Sequence, residues 1–234
     1  MNFLKAEWRK LAIINYEIDT DVLLPYLPKG TELDFYKGRC YVSLVGFMFL
    51  NTKLLGFSIP FHRNFEEVNL RFYVKKQEKG AWKRGVVFIK EIVPKPALSL
   101  VANSIYKENY HTMPMKNQIH ENGDELLIRY SWKDKSWHSI QIMAESTAKP
   151  MEENSEFEFI TEHYFGFTKK ENTTSEYEVC HPKWDCYTVK DHHLEIDFQK
   201  IYGSDFTFLN HQKPVSVMLA EGSEVQVKTK KFIH

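Results

Sequence analysis

The sequence predicts a mainly β fold, closed or nearly closed on itself, from three observations. Aromatic residues make up 15% of the chain, with 17 Phe and 12 Tyr, and such side chains suit a pleated, half-buried surface. Runs with period-two alternation recur along the length, the clearest being "NFEEVNLRFYV" from Asn64 to Val74. Only one segment, "PALSLVANSIYKENY", keeps helical spacing, through Leu98, Val101, Ala102, Ile105 and Tyr106.

Taken in order, a first strand is predicted near Trp8 to Ile18, followed by a short helix or turn in "DTDVLLPYLP", stopped by Pro25 and Pro28. "GTELDFYKGRCYVSLVGFMFL" reads as two strands joined near Lys37 and Gly38, the second apolar on both faces and so central. The strand "NFEEVNLRFYV" comes next, then a charged hairpin tip, "KKQEKGAWKR", then the strand "GVVFIKEIV". After the helix, strands are predicted at "ELLIRYSW" and "SWHSIQIMAES", turning around Lys133 to Lys135. A short helix or turn at Ser155 to Glu162 precedes two strands in "SEYEVCHPKWDCYTVKDHH", broken at Pro182. "PVSVMLAEGSEVQVKTKK" reads as a terminal hairpin turning at Glu221 and Gly222. No repeat, low-complexity segment or linker interrupts the pattern, so residues 1–234 are expected to form one domain.

Composition narrows the function classes. Lys plus Arg and Asp plus Glu are both 31, so no overall field draws the chain to nucleic acid or anionic lipid. The longest apolar-dominated run, Cys40 to Leu50, is far short of the roughly 20 residues of a membrane-spanning helix. Neither a nucleic-acid nor a membrane partner is expected. Three cysteines, Cys40, Cys180 and Cys186, make no disulfide framework, which fits a reducing cytoplasm. Cys180, His181, Asp185, Cys186, His192 and His193 lie close in sequence, but their spacing matches no zinc pattern, and no metal or other cofactor is expected. No Gly-x-Ser-x-Gly elbow or phosphate-binding glycine loop is present. His138 and His163 have no partner nearby in sequence and carry no assignment.

In "NFEEVNLRFYV", alternation puts Val68, Leu70, Phe72 and Val74 on one face and Glu67, Asn69, Arg71 and Tyr73 on the other. The polar row is either a wet outer ladder or the wall of a pocket. An acid, an amide, a guanidinium and a phenol together suit a bound carboxylate or carbonyl. In "GVVFIKEIV", strict alternation groups Val86, Phe88 and Ile92 with Lys90, and Val87, Ile89 and Val93 with Glu91. Either charge, if buried, needs a partner or a shifted pKa.

The motifs "LPKGTELDFYKGRCYVSLVGF", "FEEVNLRFYV", "GVVFIKEIVPK", "ENYHTMPM", "EHYFGF", "HPKW" and "PVSVMLAEGSEV" resemble, in that order, the YqjF-like family of uncharacterised bacterial proteins. Phe165 and Phe167 stand where that pattern has Trp and Tyr. The family is distantly similar to acetoacetate decarboxylase, which implies an antiparallel β-barrel or cone around a buried, mostly apolar cavity, with the polar row facing inward. By that comparison Glu67 matches the active-site acid and Pro114 the proline before a lysine pair, but the pair becomes Met115 and Lys116. A thioether cannot form an imine, so ordinary Schiff-base decarboxylation is not implied unless Lys116 or Lys90 enters the cavity.

Three functional readings follow. In the first, Glu67, Asn69, Arg71 and Tyr73, with Glu91, Tyr106, Tyr110, Met115 and Glu162, bind a small polar ligand inside a barrel. In the second, Glu67 carries a proton and Arg71 clamps the anion of a keto-acid-like substrate. In the third, the polar row is surface and the protein is structural or an interaction module.

Overall fold

The computed structural model describes residues 2–101, 103–104, 108–170 and 173–233. In chain order, β1 (Asn2–Glu17) leads through α1 (Thr20–Leu23) to β2 (Glu32–Leu33), β3 (Tyr41–Leu54), β4 (Phe65–Glu78) and β5 (Ala81–Val93). Then come α2 (Pro96–Val101), β6 (Tyr110–Thr112), β7 (Met115–Asn122), β8 (Glu125–Lys133), β9 (Trp137–Lys149) and α3 (Glu156–Thr161). β10 (Phe165–Lys169), β11 (Thr174–Cys180), β12 (Cys186–Glu195), α4 (Phe198–Tyr202), β13 (Ser216–Lys228) and β14 (Lys231–Ile233) complete the elements. The described part of the expected long helix is α2, which keeps Pro96 at its start; Ala102, Ile105 and Tyr106 lie outside the described residues.

These strands form one sheet in the order β14-β11-β10-β5-β4-β3-β1-β13-β12-β9-β8-β7. A second pairing, Val179↔Val227 and Cys180↔Gln226 between β11 and β13, closes part of it into a ring. The ring runs β11, β10, β5, β4, β3, β1, β13 and back to β11. It is antiparallel except where β10 meets β5. The remaining path, β12-β9-β8-β7, folds over the outside of the ring.

Two apolar cores result, one on each face of the ring strands. Leu11, Ile13, Val45, Phe47, Phe65 and Val86 belong to the inner core. Ala12, Ile14, Leu44, Leu70, Phe72 and Val87 belong to the outer one, where Tyr130 and Trp132 of β8, Ile140 of β9 and Ile201 of α4 cover them. Because both faces are buried, β3 carries apolar residues at nearly every position.

One expected turn is absent. β13 runs unbroken through Glu221 and Gly222, with Arg9 opposite Gly222 and Ala12 opposite Leu219. Gly222 takes φ +82°, and a Cβ there would stand 1.9 Å from the Trp8 carbonyl oxygen. The glycine lets two strands approach closely instead of reversing the chain.

Candidate functional site

The ring walls a partly open cavity of about 190 Å³, lined mainly by aromatic and aliphatic side chains such as Trp8, Phe47, Phe49, Phe65 and Phe88. Glu67, Asn69 and Arg71 reach into it from β4. The β4–β3 register fixes this facing, since cross-strand partners share a face: Phe47 lies opposite Glu67, Val45 opposite Asn69 and Ser43 opposite Arg71. Val68, Leu70 and Phe72 take the outer core as alternation requires. Tyr73 also points inward and is buried in the inner core, but it does not line the cavity, and its hydroxyl is 2.7 Å from Ser43 Oγ.

On β5, strict alternation fails. The register slips between Leu70 and Arg71, so that Leu70 faces Lys90 while Arg71 faces Phe88, leaving Ile89 as an extra residue. Val86, Phe88, Glu91 and Val93 therefore line the cavity. Val87, Ile89 and Ile92 join the outer core. Lys90 turns outward with them and donates to the Ile201 carbonyl. The expected grouping of Lys90 with Val86 and Phe88 is thus corrected by a β-bulge.

Glu67 is the centre of the polar cluster. It is 2% exposed, accepting from Asn69 Nδ2 at 2.9 Å and from the Tyr110 hydroxyl at 3.0 Å. Tyr110 arrives because β6 pairs parallel with β5, setting it opposite Glu91. Asn103 holds its backbone on both sides, donating to its carbonyl and accepting from its N–H, each at 2.8 Å. Burial pushes the Glu67 carboxyl up to about 7, despite those hydrogen bonds and the nearby Arg71 charge. Burial and the neighbouring Glu108 and Glu67 carboxylates raise Glu91 well above the usual range. Glu108 also lines the cavity, accepts from Thr168 Oγ1 at 2.6 Å, and is raised by burial to about 7. Like charges in a dry site resist joint ionisation, so the three acids lose their protons well above the usual carboxylate range and not all together.

Arg71 brings a positive charge to the same wall of the cavity. Arg71 makes one long hydrogen bond, 3.5 Å from Nη2 to the Ile160 carbonyl, and lies 5.7 Å over the Tyr73 ring, while its Nε is buried without an acceptor. Beside it, the buried His163 ring lies with Nε2 3.2 Å from Asp34 Oδ2. Burial lowers His163 to about 4. Burial also lowers His181 to about 4, where it stacks on Trp184 with ring centroids 4.1 Å apart.

The structure thus brings together Glu67, Asn69, Arg71, Glu91 and Tyr110. It does not bring Met115 or Glu162 to the cavity wall. Met115 begins β7, the far end of the sheet path, and packs on the outer core. Glu162 accepts from the Tyr164 hydroxyl just beyond α3. Tyr106 lies outside the described residues. Lys116 lies 4.2 Å over the Trp137 ring, away from the ring interior. Among the described residues no lysine lines the cavity, and none of their His, Cys, Asp and Glu form a cluster able to hold a metal ion. No described helix is long and apolar enough to cross a membrane. Glu108 and His163 escape a sequence reading because each reaches the cavity from outside any alternating strand.

Comparisons with known proteins agree with this fold. The model of the family DUF2071, described as an uncharacterized conserved protein, matches residues 5–224. The uncharacterized protein YqjF of Bacillus subtilis (strain 168) is 28% identical over 187 residues, covering 77% of this chain and 74% of that protein. The crystal structure of acetoacetate decarboxylase from Legionella pneumophila superimposes with a TM-score of 0.69 at 16% identity, over 99% of this chain and 87% of that one. The enduracididine biosynthesis enzyme MppR, solved with pyruvate, gives a TM-score of 0.66 at 9% identity, over 99% of this chain and 91% of that one. At such identities the likeness to the solved structures is one of fold.

Proposed function

The chain belongs to the DUF2071 family of uncharacterized conserved proteins, and from that footing we propose that it binds a small organic carboxylate inside its strand ring, with Arg71 as the anion contact. The observation that carries this reading is Arg71 itself. It lines the cavity, and among the described residues no carboxylate lies within ion-pair distance of it. The guanidinium is half-buried and makes no ion pair among the described residues, so a carboxylate occupant supplies it with charge-assisted hydrogen bonds. The buried acids around Tyr110, which burial makes slow to give up their protons, then face the ligand's carbonyl or hydroxyl end, while the aromatic walls take its carbon chain. The binding of pyruvate by MppR, which has this fold, supports a carboxylate as the occupant.

A second reading, general acid–base chemistry on a keto-acid-like compound, is favoured by one observation. Glu67 sits at about 7, where a proton carrier works best at neutral pH. Such chemistry here proceeds without an imine, since no described lysine lines the cavity.

Denaturing the purified protein and analysing the released small molecules by mass spectrometry tests the binding reading. A stoichiometric carboxylate from the wild type that is absent from Arg71→Met supports it. No released ligand, together with no binding across a panel of organic acids, contradicts it.

A further inference from the structure

The cavity has a direction, because its lining residues fall in order along the strands. On β4 they run Phe65, Glu67, Asn69 and Arg71, and the next inward-facing residue, Tyr73, does not reach it. Arg71 therefore lies at the inner end, where the lining residues Val86, Ile160 and Thr161 are buried. The other end lies where β1 begins, β3 ends at Leu54 and β5 gives way to α2. Ile59, in the loop between β3 and β4, and Ala97 of α2 line the cavity there, and among its described lining residues they alone are exposed. The opening is thus apolar. Its loop also carries Leu55, Phe57 and Phe61, which are 51%, 76% and 89% exposed, and grouped exposed apolar side chains mark ligand-binding grooves and other contact sites. From Phe65 to Arg71, β4 covers about 20 Å. Along that path β1 and β3 give the cavity no charged side chain. Leu4 opposite Leu54 and Trp8 opposite Phe49 continue to Leu11 and Phe47 as one apolar side, facing the acids of β4 and β5.

We infer that the ligand is an alkanoic acid of about eight to ten carbons, held with its carboxylate on Arg71 and its chain along the β1 and β3 side to the opening at Ile59. This rests on the cavity being a carboxylate site and names the class of acid. Size supports it: a volume of about 190 Å³ has room for about fifteen water-sized groups, enough for a carboxylate, a chain of about ten carbons and a few waters beside the acids. A pyruvate-sized acid on Arg71 leaves the aromatic wall near the opening wet. Each methylene added to it transfers apolar surface from water onto Phe47, Phe49 and Trp8, which favours the longer chain. An acyl ester fits the same walls but brings no carboxylate to the guanidinium.

Isothermal titration with butanoate, hexanoate, octanoate and decanoate tests the inference. Affinity is expected to climb roughly threefold for each added methylene, through decanoate. Arg71→Met should weaken every member, and 1-decanol, which lacks the carboxylate, should bind far more weakly than decanoate. Ile59→Asp puts a charge beside the chain at the opening, and since Ile59 is 40% exposed the substitution spares the core. It should flatten the climb beyond hexanoate and cost decanoate roughly tenfold. Affinities that stay level or fall beyond butanoate overturn the inference and leave the carboxylate reading standing, as does a climb that Ile59→Asp leaves intact. Decanol bound as tightly as decanoate, or no binding by any acid, overturns both. Because the wild-type series needs no substitution, its result stands whether or not a variant folds.

Discussion

Phe88 and Glu91 stand three residues apart on β5, yet both face the cavity, because the bulge at Ile89 resets the alternation between them. The same reset turns Lys90 into the outer layer, where burial lowers its pKa and its ammonium meets the Ile201 carbonyl. One extra residue thus decides that this cavity receives a carboxyl group and not an amine.

If Lys90 lies outside the cavity, Lys90→Met should leave carboxylate binding unchanged and should not reduce stability, since a methionine packs where a half-buried ammonium was desolvated. Borohydride reduction in the presence of pyruvate should label neither Lys90 nor Lys116. Mass spectrometry of tryptic peptides reads the outcome. A reduced adduct on either lysine would contradict the facing described for β5 and β7.

Glu67 links the site to pH. Its carboxyl, ordinarily near 4.5, is raised to about 7 in the fold, so between these values the native state holds a proton that the unfolded chain has lost. Its contribution to stability is then fully present below about pH 4.5 and is lost as pH rises through 7. Glu67→Gln removes a carboxylate that must ionise in a dry site. It should flatten this fall and gain on the order of 1–3 kcal/mol over the wild type at pH 8. Urea denaturation at pH 5 and pH 8 measures both arms. A variant less stable than the wild type at pH 8 would show that the carboxylate form is the favoured one.

Arg71→Met should cost little stability at pH 5, about 1 kcal/mol or less, because the guanidinium makes no ion pair among the described residues and only one long hydrogen bond. Removing its charge also removes a force that holds Glu67 down. The fall in stability should therefore shift to higher pH, as the same denaturation series would detect. A large loss at pH 5 would place Arg71 in a structural network instead.

Gly222→Ala should be severely destabilising, by roughly 3 kcal/mol or more, because a Cβ meets the Trp8 carbonyl at 1.9 Å and φ is +82°. A melting temperature close to the wild type would mean that β1 and β13 do not approach as described.

Legibility in the sequence tracked how local each cause is. The polar row of β4 was readable because its alternation runs uninterrupted from Glu67 to Tyr73, and both faces proved to be buried. The alternation of β5 misleads because a bulge is a property of two paired strands, and no glycine or proline at Ile89 announces it. Gly222 reads as a turn because a glycine free to take positive φ, as this one does, suits a reversal as well as a close strand crossing. Ring closure rests on a pairing of only two residues on each of β11 and β13, far apart in sequence, and leaves no local trace. His163 depends on Asp34, 129 positions away, so neither residue alone suggests a site.

A crystal structure of the protein grown with 2-hydroxyhexanoate tests the central claim most directly. The account predicts the carboxylate within hydrogen-bonding distance of the Arg71 guanidinium, with the carbon chain along Phe88 and Phe47. A ligand bound elsewhere, or an Arg71 turned to pair with Glu67 while the ligand leaves it untouched, would contradict it.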